Sequence, residues 1–132
     1  MSKFSLKGKT AIITGGASGI GKSISKIFAE QGAKIHILDI NKKGATKTAN
    51  EIRKADQKAT AHCCDVSNQK NVNEIIKNIT TTDAIDILVN NAGIAHIGSI
   101  GKTEEKDLDR LYNVNIKGVY NCTKACIEPF KK

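Results

Sequence analysis

One glycine-rich segment, Thr14-Gly-Gly-Ala-Ser-Gly-Ile-Gly21, constrains this chain more than any other feature. It follows an apolar run that predicts a strand, Thr10 to Gly15, and it opens a segment that predicts a helix, Gly21 to Glu30. Because glycine has no Cβ, such a turn brings bare backbone close to a phosphate. The N–H groups at the start of the next helix then bind the anion. The segment therefore predicts a nucleotide-binding turn.

Two nucleotide-binding patterns compete for this turn. Residues 16–23, Gly-Ala-Ser-Gly-Ile-Gly-Lys-Ser, are a literal match to the P-loop pattern. A dinucleotide site instead uses an acid about 20 residues further on, which accepts hydrogen bonds from the adenine ribose. Asp39 ends the next strand-like run, about 18 residues after Gly21. Neither Asp65 nor Asp86 follows a run of four apolar residues, as a Mg²⁺-binding acid would, so the dinucleotide interpretation is favoured.

Length and composition predict one cytoplasmic domain. The chain has 132 residues, 39% of them hydrophobic, which is typical of a single domain. No apolar run approaches the roughly 18 residues that cross a membrane, and the start has no secretory signal. The cysteines at 63, 64, 122 and 126 have no metal-ligand spacing, so we expect buried thiols and no metal site.

The positive charge has a simple interpretation. The formal net charge is +8, lysines greatly outnumber the two arginines, and aromatic residues make up 4%. Nucleic-acid interfaces combine such charge with arginines and aromatic residues. We therefore expect a solvated lysine surface that mildly attracts an anionic cofactor, and no nucleic-acid partner.

Strand and helix patterns alternate along the chain. Predicted strands cover 10–15, 34–40, 59–66 and 85–90, the last of them apolar enough to be buried on both faces. Predicted helices cover 21–30 and 43–54, a third helix capped by Ser67, and a last region from a Thr103 cap to about Phe130. This alternation predicts a parallel sheet covered on both sides, with a site at the carboxyl ends of the strands.

Five segments, four of them at those strand ends, resemble the short-chain dehydrogenase/reductase family. They are residues 14–21, Asp39, Asp65-Val66, Asn90-Asn-Ala-Gly93 and Asn113-Val-Asn-Ile-Lys-Gly118, in family order and spacing. The resemblance implies a Rossmann-like, doubly wound, three-layer α/β/α fold with strand order 3-2-1-4. It also implies an NAD(P)-binding domain over residues 1–132 of an oxidoreductase. That enzyme would transfer hydride between a nicotinamide cofactor and a 3-oxoacyl, sugar or polyol type of carbonyl or secondary alcohol.

The resemblance also implies roles for individual residues. Asp39 would bind the adenosine ribose, and Asp65 with Val66 would contact the adenine ring. Asn115 matches the active-site asparagine of the family, which helps hold a water in a proton relay. The other implied cofactor residues are Gly15, Ser18, Gly19, Ile20 and Gly21 at the pyrophosphate, and Asn90, Ala92 and Gly93 near a ribose.

Two of these residues have alternative interpretations. A predicted helical stripe buries Asn115, and a buried amide without partners costs about 1–3 kcal/mol. The stripe consists of Leu108, Leu111, Tyr112, Asn115, Val119, Cys122 and Cys126. Asn115 could instead satisfy backbone groups at a helix kink near Gly118. Asp39 could instead cap the helix that follows it.

The charge of Asp39 bears on the choice of cofactor. Two like charges about 4 Å apart repel by roughly 4 kcal/mol at an effective dielectric of 20. A carboxylate at this position therefore favours NAD over NADP, which carries a phosphate on the ribose. Lys42 and Lys43 lie close by in sequence, and their positive charge would favour the phosphate of NADP.

The resemblance places a catalytic serine, tyrosine and lysine beyond Asn115, after a fifth strand. No serine follows Ser99, and the spacing of Tyr120 and Lys124, Y-x-x-x-K, is interpreted as a chance helix pair. His62 and His96 are weaker candidates for a general base, with His96 expected in a solvated loop. The chain is therefore expected to be an incomplete, cofactor-binding half that is inactive alone. A non-catalytic dinucleotide-binding module is the alternative.

Partners follow from the same resemblance. A small carbonyl or alcohol substrate is expected, and the full-length protein would be a homotetramer or dimer. In the order 3-2-1-4, strand four is an apolar edge without a neighbour on one side, which invites pairing with another chain. The isolated chain is therefore expected to be poorly soluble or self-associated.

Overall fold

A computed structural model describes residues 3–132 as a parallel four-stranded sheet with helices on both faces. The strands are β1 (Thr10–Thr14), β2 (Lys34–Asp39), β3 (Ala59–Cys63) and β4 (Ile87–Val89). The helices are α1 (Gly19–Glu30), α2 (Lys42–Lys54), α3 (Gln69–Thr80), α4 (Glu105–Tyr112) and α5 (Gly118–Phe130). A short 3₁₀ turn covers Ile100–Lys102, and a π-helical segment covers Asn113–Lys117. Met1 and Ser2 lie outside the described residues. They belong to the predicted domain, residues 1–132, and to the start that was predicted to have no secretory signal.

The strand order β3-β2-β1-β4 is the predicted one, and all neighbours are parallel. Successive residues of β1 point to opposite faces, so each face has its own core. Ile13 packs with apolar residues of α1 and α2, whereas Ile12 packs with α3 and α5. The predicted doubly wound, three-layer arrangement is therefore confirmed, and it brings the carboxyl ends of the strands to one edge.

Both later strands are shorter than predicted. β3 ends at Cys63 rather than Val66, because β2, its pairing partner, ends opposite at Asp39. β4 contains only Ile87–Val89 and is half-buried rather than buried on both faces. Among residues 3–132 it pairs with β1 alone, so one of its edges has no strand beside it there, as the strand order implied.

Two predicted helix caps are wrong by one residue. Asn68 rather than Ser67 caps α3, since its side chain accepts from the N–H of Asn71 at 3.0 Å. Glu104 rather than Thr103 caps α4, and it forms a reciprocal capping box with Asp107. In both cases the hydroxyl of the predicted cap residue donates to the preceding turn instead, Ser67 to Asp65 and Thr103 to Ser99.

The last helical region contains a π-helical segment that the sequence analysis did not predict. Its wider turns change the register between α4 and α5. Leu108 and Tyr112 are 61% and 56% exposed, while Cys122 and Cys126 are fully buried. The predicted single buried stripe is therefore wrong, because Leu108, Tyr112 and Val119 are exposed whereas Leu111 and Asn115 are half-buried.

The cysteines are free, and three of the four are buried. Burial raises the pKa of Cys64 and Cys122 to about 12 and that of Cys126 to about 11. Cys63 is exposed, which corrects the expectation for that residue, because it ends the edge strand β3. Across residues 3–132, no helix combines the length and apolar character needed to cross a membrane.

Candidate functional site

A cavity of about 800 Å³ lies at the carboxyl ends of the strands. Its volume is within the usual range of ligand pockets, about 300–1,000 Å³. Eight predicted cofactor residues line it: Gly15, Ser18, Ile20, Asp39, Asp65, Val66, Ala92 and Gly93. Gly19, Gly21, Asn90 and Asn115 do not line it. The structure thus brings most of the predicted site residues into one cavity.

The glycine turn is shaped by close packing. Gly15 has φ +71°, and a Cβ there would lie 2.8 Å from Nδ2 of Asn91. A Cβ on Gly21 would overlap the carbonyl oxygen of Gly15. Ser18 precedes α1 and its side chain makes no capping hydrogen bond. The first N–H groups of α1 are therefore available to an anion at the cavity wall.

Lys22, the lysine of the P-loop match, forms an ion pair on the protein surface. Its Nζ lies 3.3 Å from Oε2 of Glu51 on α2, and Lys26 makes a second ion pair with the same oxygen at 2.8 Å. Lys22 does not line the cavity. The P-loop alternative is therefore not supported by the geometry.

The carboxylate of Asp39 joins the glycine turn to the start of α2. It accepts from the N–H of Ala17 at 3.0 Å and from that of Asn41 at 2.9 Å. Asn41, not Asp39, caps α2, because its side chain accepts from the N–H of Gly44. The alternative interpretation of Asp39 as a helix cap is therefore wrong. A carboxylate has about four acceptor positions, so Asp39 keeps capacity for a ligand.

The loop after β3 is held by four side-chain hydrogen bonds. Asn71 Oδ1 accepts from the N–H of Asp65 at 2.8 Å, and Asn121 Nδ2 donates to the carbonyl of Val66 at 2.9 Å. Asp65 Oδ1 accepts from both the N–H and the hydroxyl of Ser67. Within residues 3–132, the N–H of Val66 and Oδ2 of Asp65 have no hydrogen-bond partner. One donor and one acceptor are thus available in two consecutive residues that line the cavity.

Two residues that were not predicted, Thr14 and Asn91, shape the loop after β4. Thr14 Oγ1 accepts from the N–H groups of Asn91 and Ala92 at 3.0 and 2.9 Å. Asn91 Nδ2 donates to the carbonyl of Gly15 at 3.2 Å. A threonine at the end of β1 and the second of two asparagines were the available signals. The predicted Asn90 instead donates to Thr123 on α5 at 3.1 Å and is exposed.

Asn115 lies in the π-helical segment and is half-buried. Its Oδ1 accepts from the N–H of Ile94 at 2.9 Å, and its Nδ2 donates to the carbonyl of the same residue at 2.8 Å. Asn115 therefore satisfies backbone groups, but those of the loop after β4 rather than those of a helix kink near Gly118. A water-holding role for Asn115 stays a prediction.

Cations from α4 also reach the cavity and were not predicted. Lys106 and Arg110 line it, whereas Lys42 and Lys43 line a separate groove along α2. A cavity that holds an anionic ligand benefits from such charge.

The remaining candidate groups lie outside the cavity lining. Tyr120 and Lys124 form an exposed pair on α5, with Lys124 Nζ 3.2 Å from the tyrosine hydroxyl. His62 is hydrogen-bonded to His36 on the neighbouring strand. His96 Nε2 lies 3.9 Å from Oδ2 of Asp107 at the start of α4.

Comparisons with known proteins agree on one family of oxidoreductases. Residues 9–132 match the sequence model of the short chain dehydrogenase family. An uncharacterized oxidoreductase of Thermotoga maritima is 40% identical over 127 residues, which are 96% of this chain and 50% of that protein.

Solved structures agree with this match. A 3-ketoacyl-(acyl-carrier-protein) reductase from Brucella melitensis, complexed with NADH, has a TM-score of 0.89 and 41% identity over 96% of this chain and 52% of its own. A structure described as an NAD(P)-dependent gluconate 5-dehydrogenase from Beutenbergia cavernae, with NADP at low occupancy, has a TM-score of 0.90 and 26% identity. That match covers 97% of this chain and 51% of the other. The chain spans about half the length of these relatives.

Proposed function

Because the chain belongs to the short-chain dehydrogenase family, we propose that its cavity binds the adenine dinucleotide NAD(H). The observation that carries the proposal is the convergence of three groups on one cavity. They are the uncapped start of α1, the Asp39 carboxylate, and the free N–H of Val66 beside the free oxygen of Asp65. Each of them suits a different part of an adenine dinucleotide.

The pyrophosphate suits the start of α1. The first N–H groups of a helix are unpaired, and the helix dipole favours negative charge there. No acidic side chain occupies the first turn of α1, and the Ser18 hydroxyl is not used as a cap. Gly15, Gly19, Ile20, Gly21 and Ser18 would form this part of the site.

The adenosine suits the residues at the ends of β2 and β3. The edge of adenine offers a ring-nitrogen acceptor beside an amino donor. Val66 N–H and Asp65 Oδ2 offer the complementary donor and acceptor. Asp39 would accept hydrogen bonds from the ribose hydroxyls.

The charge of Asp39 favours NAD over NADP. A 2′-phosphate would meet the carboxylate, and Lys42 and Lys43 line another groove rather than this cavity. Repulsion of a few kcal/mol at an effective dielectric of 20 would select the unphosphorylated ribose.

The nicotinamide half would lie towards the loop after β4. When bound, the nicotinamide ring accepts or supplies a hydride. Ala92, Gly93 and, by the resemblance, Asn90 would line this half, and Asn115 fixes the loop through Ile94. Asn115 is the candidate catalytic residue of the chain, as the holder of a water that carries protons.

The activity proposed for the whole protein is oxidoreduction of a carbonyl or secondary alcohol, of the 3-oxoacyl, sugar or polyol type. We expect the 132-residue polypeptide itself to bind cofactor without turnover. Its one tyrosine–lysine pair with the family spacing, Tyr120 and Lys124, is exposed and outside the cavity.

A second copy of the chain is the proposed partner, in a dimer or tetramer of the whole protein. Its support is a row of exposed apolar side chains along α4, the π-helical segment and α5, which we call the exposed apolar row. It consists of Leu108, Tyr112, Ile116, Tyr120 and Ile127. Such a surface suits an interface.

Paired titrations with NADH and NADPH, read by cofactor fluorescence, test the cofactor proposal. The wild-type chain is expected to bind NADH about 10- to 100-fold more tightly than NADPH. Asp39→Asn keeps an acceptor oxygen and removes the charge, so it should reduce this ratio to about 3-fold or less. Glu74→Gln removes an exposed carboxylate of α3 and should leave the ratio unchanged. An unchanged ratio in Asp39→Asn would contradict the role of Asp39.

A further inference from the structure

Asn121 is a buried amide that the cofactor proposal does not yet use. It lies on α5, is fully buried, and is one of the largest fully buried side chains in the described part of the chain. An apolar residue would fill the same space without the need for hydrogen-bond partners. A buried amide at this position therefore calls for a physical reason.

The partners of Asn121 define its orientation. A carbonyl oxygen only accepts, so the amide group that faces Val66 is the NH₂ group, and it donates at 2.9 Å. Oδ1 of Asn121 accepts from Nε2 of Gln69, the first residue of α3, at 3.3 Å. Both ends of the amide are thus hydrogen-bonded, one to the loop after β3 and the other to the start of α3.

Gly118 brings the same helix close to Val66. It lies three residues before Asn121, so the two share a face of α5. A Cβ on Gly118 would lie 2.7 Å from Cγ2 of Val66. The backbone of α5 therefore packs against the side chain of Val66 while Asn121 holds its carbonyl.

These contacts hold the two peptide groups that flank the free N–H of Val66. Asn71 Oδ1 accepts from the N–H of Asp65, one residue before. Asn121 donates to the carbonyl of Val66, one peptide after. With both flanking peptide groups held and the Val66 side chain packed against Gly118, little freedom is left to the N–H of Val66.

We propose that Asn121 is a positioning residue that aims the Val66 N–H at the adenine base, and so makes this helix set the base preference of the site. This inference rests on the proposed cofactor function. It identifies the adenine base as the part of the ligand that the site distinguishes. Asn121 does not line the cavity, so it acts on the ligand through Val66 and not by direct contact.

The test compares NADH with the dinucleotide that carries hypoxanthine in place of adenine. Hypoxanthine has a ring N–H and a carbonyl where adenine has an acceptor and an amino group, so the donor and acceptor of its edge are exchanged. The wild-type chain should bind NADH about tenfold more tightly than the hypoxanthine form. Asn121→Leu keeps the number and branching of the side-chain heavy atoms and removes both hydrogen bonds, and it should reduce the preference to about twofold or less.

A matched control separates positioning from general destabilisation. Cys126→Ala truncates a fully buried side chain of the same helix that does not line the cavity and makes neither of the hydrogen bonds of Asn121. It should lower the unfolding midpoint and leave the adenine preference near tenfold. Asn121→Gln, a longer amide, should recover part of the preference.

The outcomes are distinguishable from failure of the cofactor proposal. If wild-type protein with a folded circular-dichroism spectrum does not bind NADH, the cofactor proposal fails and the inference fails with it. If wild type binds both dinucleotides equally, or if Asn121→Leu keeps the wild-type preference, cofactor binding stands and the role of Asn121 is overturned. A loss of preference in Cys126→Ala equal to that in Asn121→Leu would also overturn it.

Discussion

The imidazole rings of His36 and His62 are hydrogen-bonded to each other, with Nδ1 of His36 2.9 Å from Nε2 of His62. Nε2 of His36 lies 2.9 Å from Oδ2 of Asp83, whose other oxygen accepts from Lys34 Nζ at 2.9 Å. Because a carboxylate only accepts, a neutral His36 has its proton on Nε2 and accepts from His62 at Nδ1. The pair bonds only while at least one of the two facing nitrogens lacks a proton.

Burial sets the protonation of this pair. It lowers the pKa of His36, and this effect outweighs the hydrogen bond and charge of Asp83, which act to raise it. Burial, followed by the charge of His36, lowers the pKa of His62 to about 4. Burial acts to raise the pKa of Asp83, but hydrogen bonds from Lys34 and His36 bring it below its usual value. Both histidines are therefore neutral near pH 7.

Acid is expected to destabilise the fold through these histidines. An unfolded histidine has a pKa of about 6.5, so between pH 6.5 and about 4 the unfolded chain binds more protons than the folded one. In this window the free energy of unfolding therefore increases with pH. The protein becomes less stable as the pH falls. Urea denaturation should show a loss of about 1–2 kcal/mol between pH 7 and pH 5.

Two histidine variants check the source of that pH dependence. His62→Leu should make the pH dependence flatter, because one buried ionisable group is gone. His96→Leu changes a loop histidine outside the pair and should leave the wild-type slope. The assignment to the buried pair would be refuted by a wild-type slope in His62→Leu.

Adding one methyl group at Gly21 is expected to disrupt the site. In Gly21→Ala the Cβ would overlap the carbonyl of Gly15, so the turn must move. NADH affinity should fall at least about tenfold, since the turn would no longer present its N–H groups together. Gly101→Ala is the matched control, because a Cβ there meets no atom within 4 Å. Equal NADH affinities of the two variants in fluorescence titrations would count against the proposed pyrophosphate position.

Asn115 is expected to stabilise the loop after β4. Asn115→Ala removes two hydrogen bonds to the main chain of Ile94 and should cost about 1–3 kcal/mol of unfolding free energy. Asn73→Ala, on the exposed face of α3, should cost less than about 0.5 kcal/mol. Chemical denaturation of both variants measures the difference, and similar values would show that the link to Ile94 has no energetic importance.

The sheet and most of the cavity could be predicted because they depend on local patterns. Apolar runs and a glycine turn identify β1 and the start of α1, and parallel strands then place Asp39 and Asp65 at one edge. The π-helical segment could not be predicted, since no residue type marks it and it depends on the fit of Asn115 to a loop far away in sequence. Long-range contacts of this kind decide registers that periodicity alone assigns wrongly.

Residues that support the site were also hard to find. Thr14, Asn71 and Asn121 act through main-chain groups of other segments, at 2.8–3.0 Å in each case. Sequence patterns identify groups that would touch a ligand, but not the buried amides and hydroxyls that hold those groups. Asn90 and Asn91 show the same limit, because the strand end alone does not decide which asparagine faces Gly15.

The exposed apolar row is expected to make the 132-residue chain self-associate. Tyr112 and Ile116 are 56% and 58% exposed, and β4 adds an edge without a strand partner. Light scattering after gel filtration should show dimers or larger species, and the double variant Ile116→Lys with Ile127→Lys should shift them towards monomer. Ile27→Lys, an equally exposed position on α1, should not. A monomeric wild-type chain with a melting point above the usual mesophile range would contradict this expectation.

Titration of the 132-residue chain with NADH, followed by competition with ADP-ribose, tests the central claim most directly. ADP-ribose carries the adenine, both riboses and the pyrophosphate but no nicotinamide. A saturable change in NADH fluorescence that ADP-ribose reverses is the predicted result, because Asp39, Val66 and the start of α1 all address that part of the molecule. Folded protein that gives no saturable signal, or a signal that excess ADP-ribose leaves unchanged, would contradict the account.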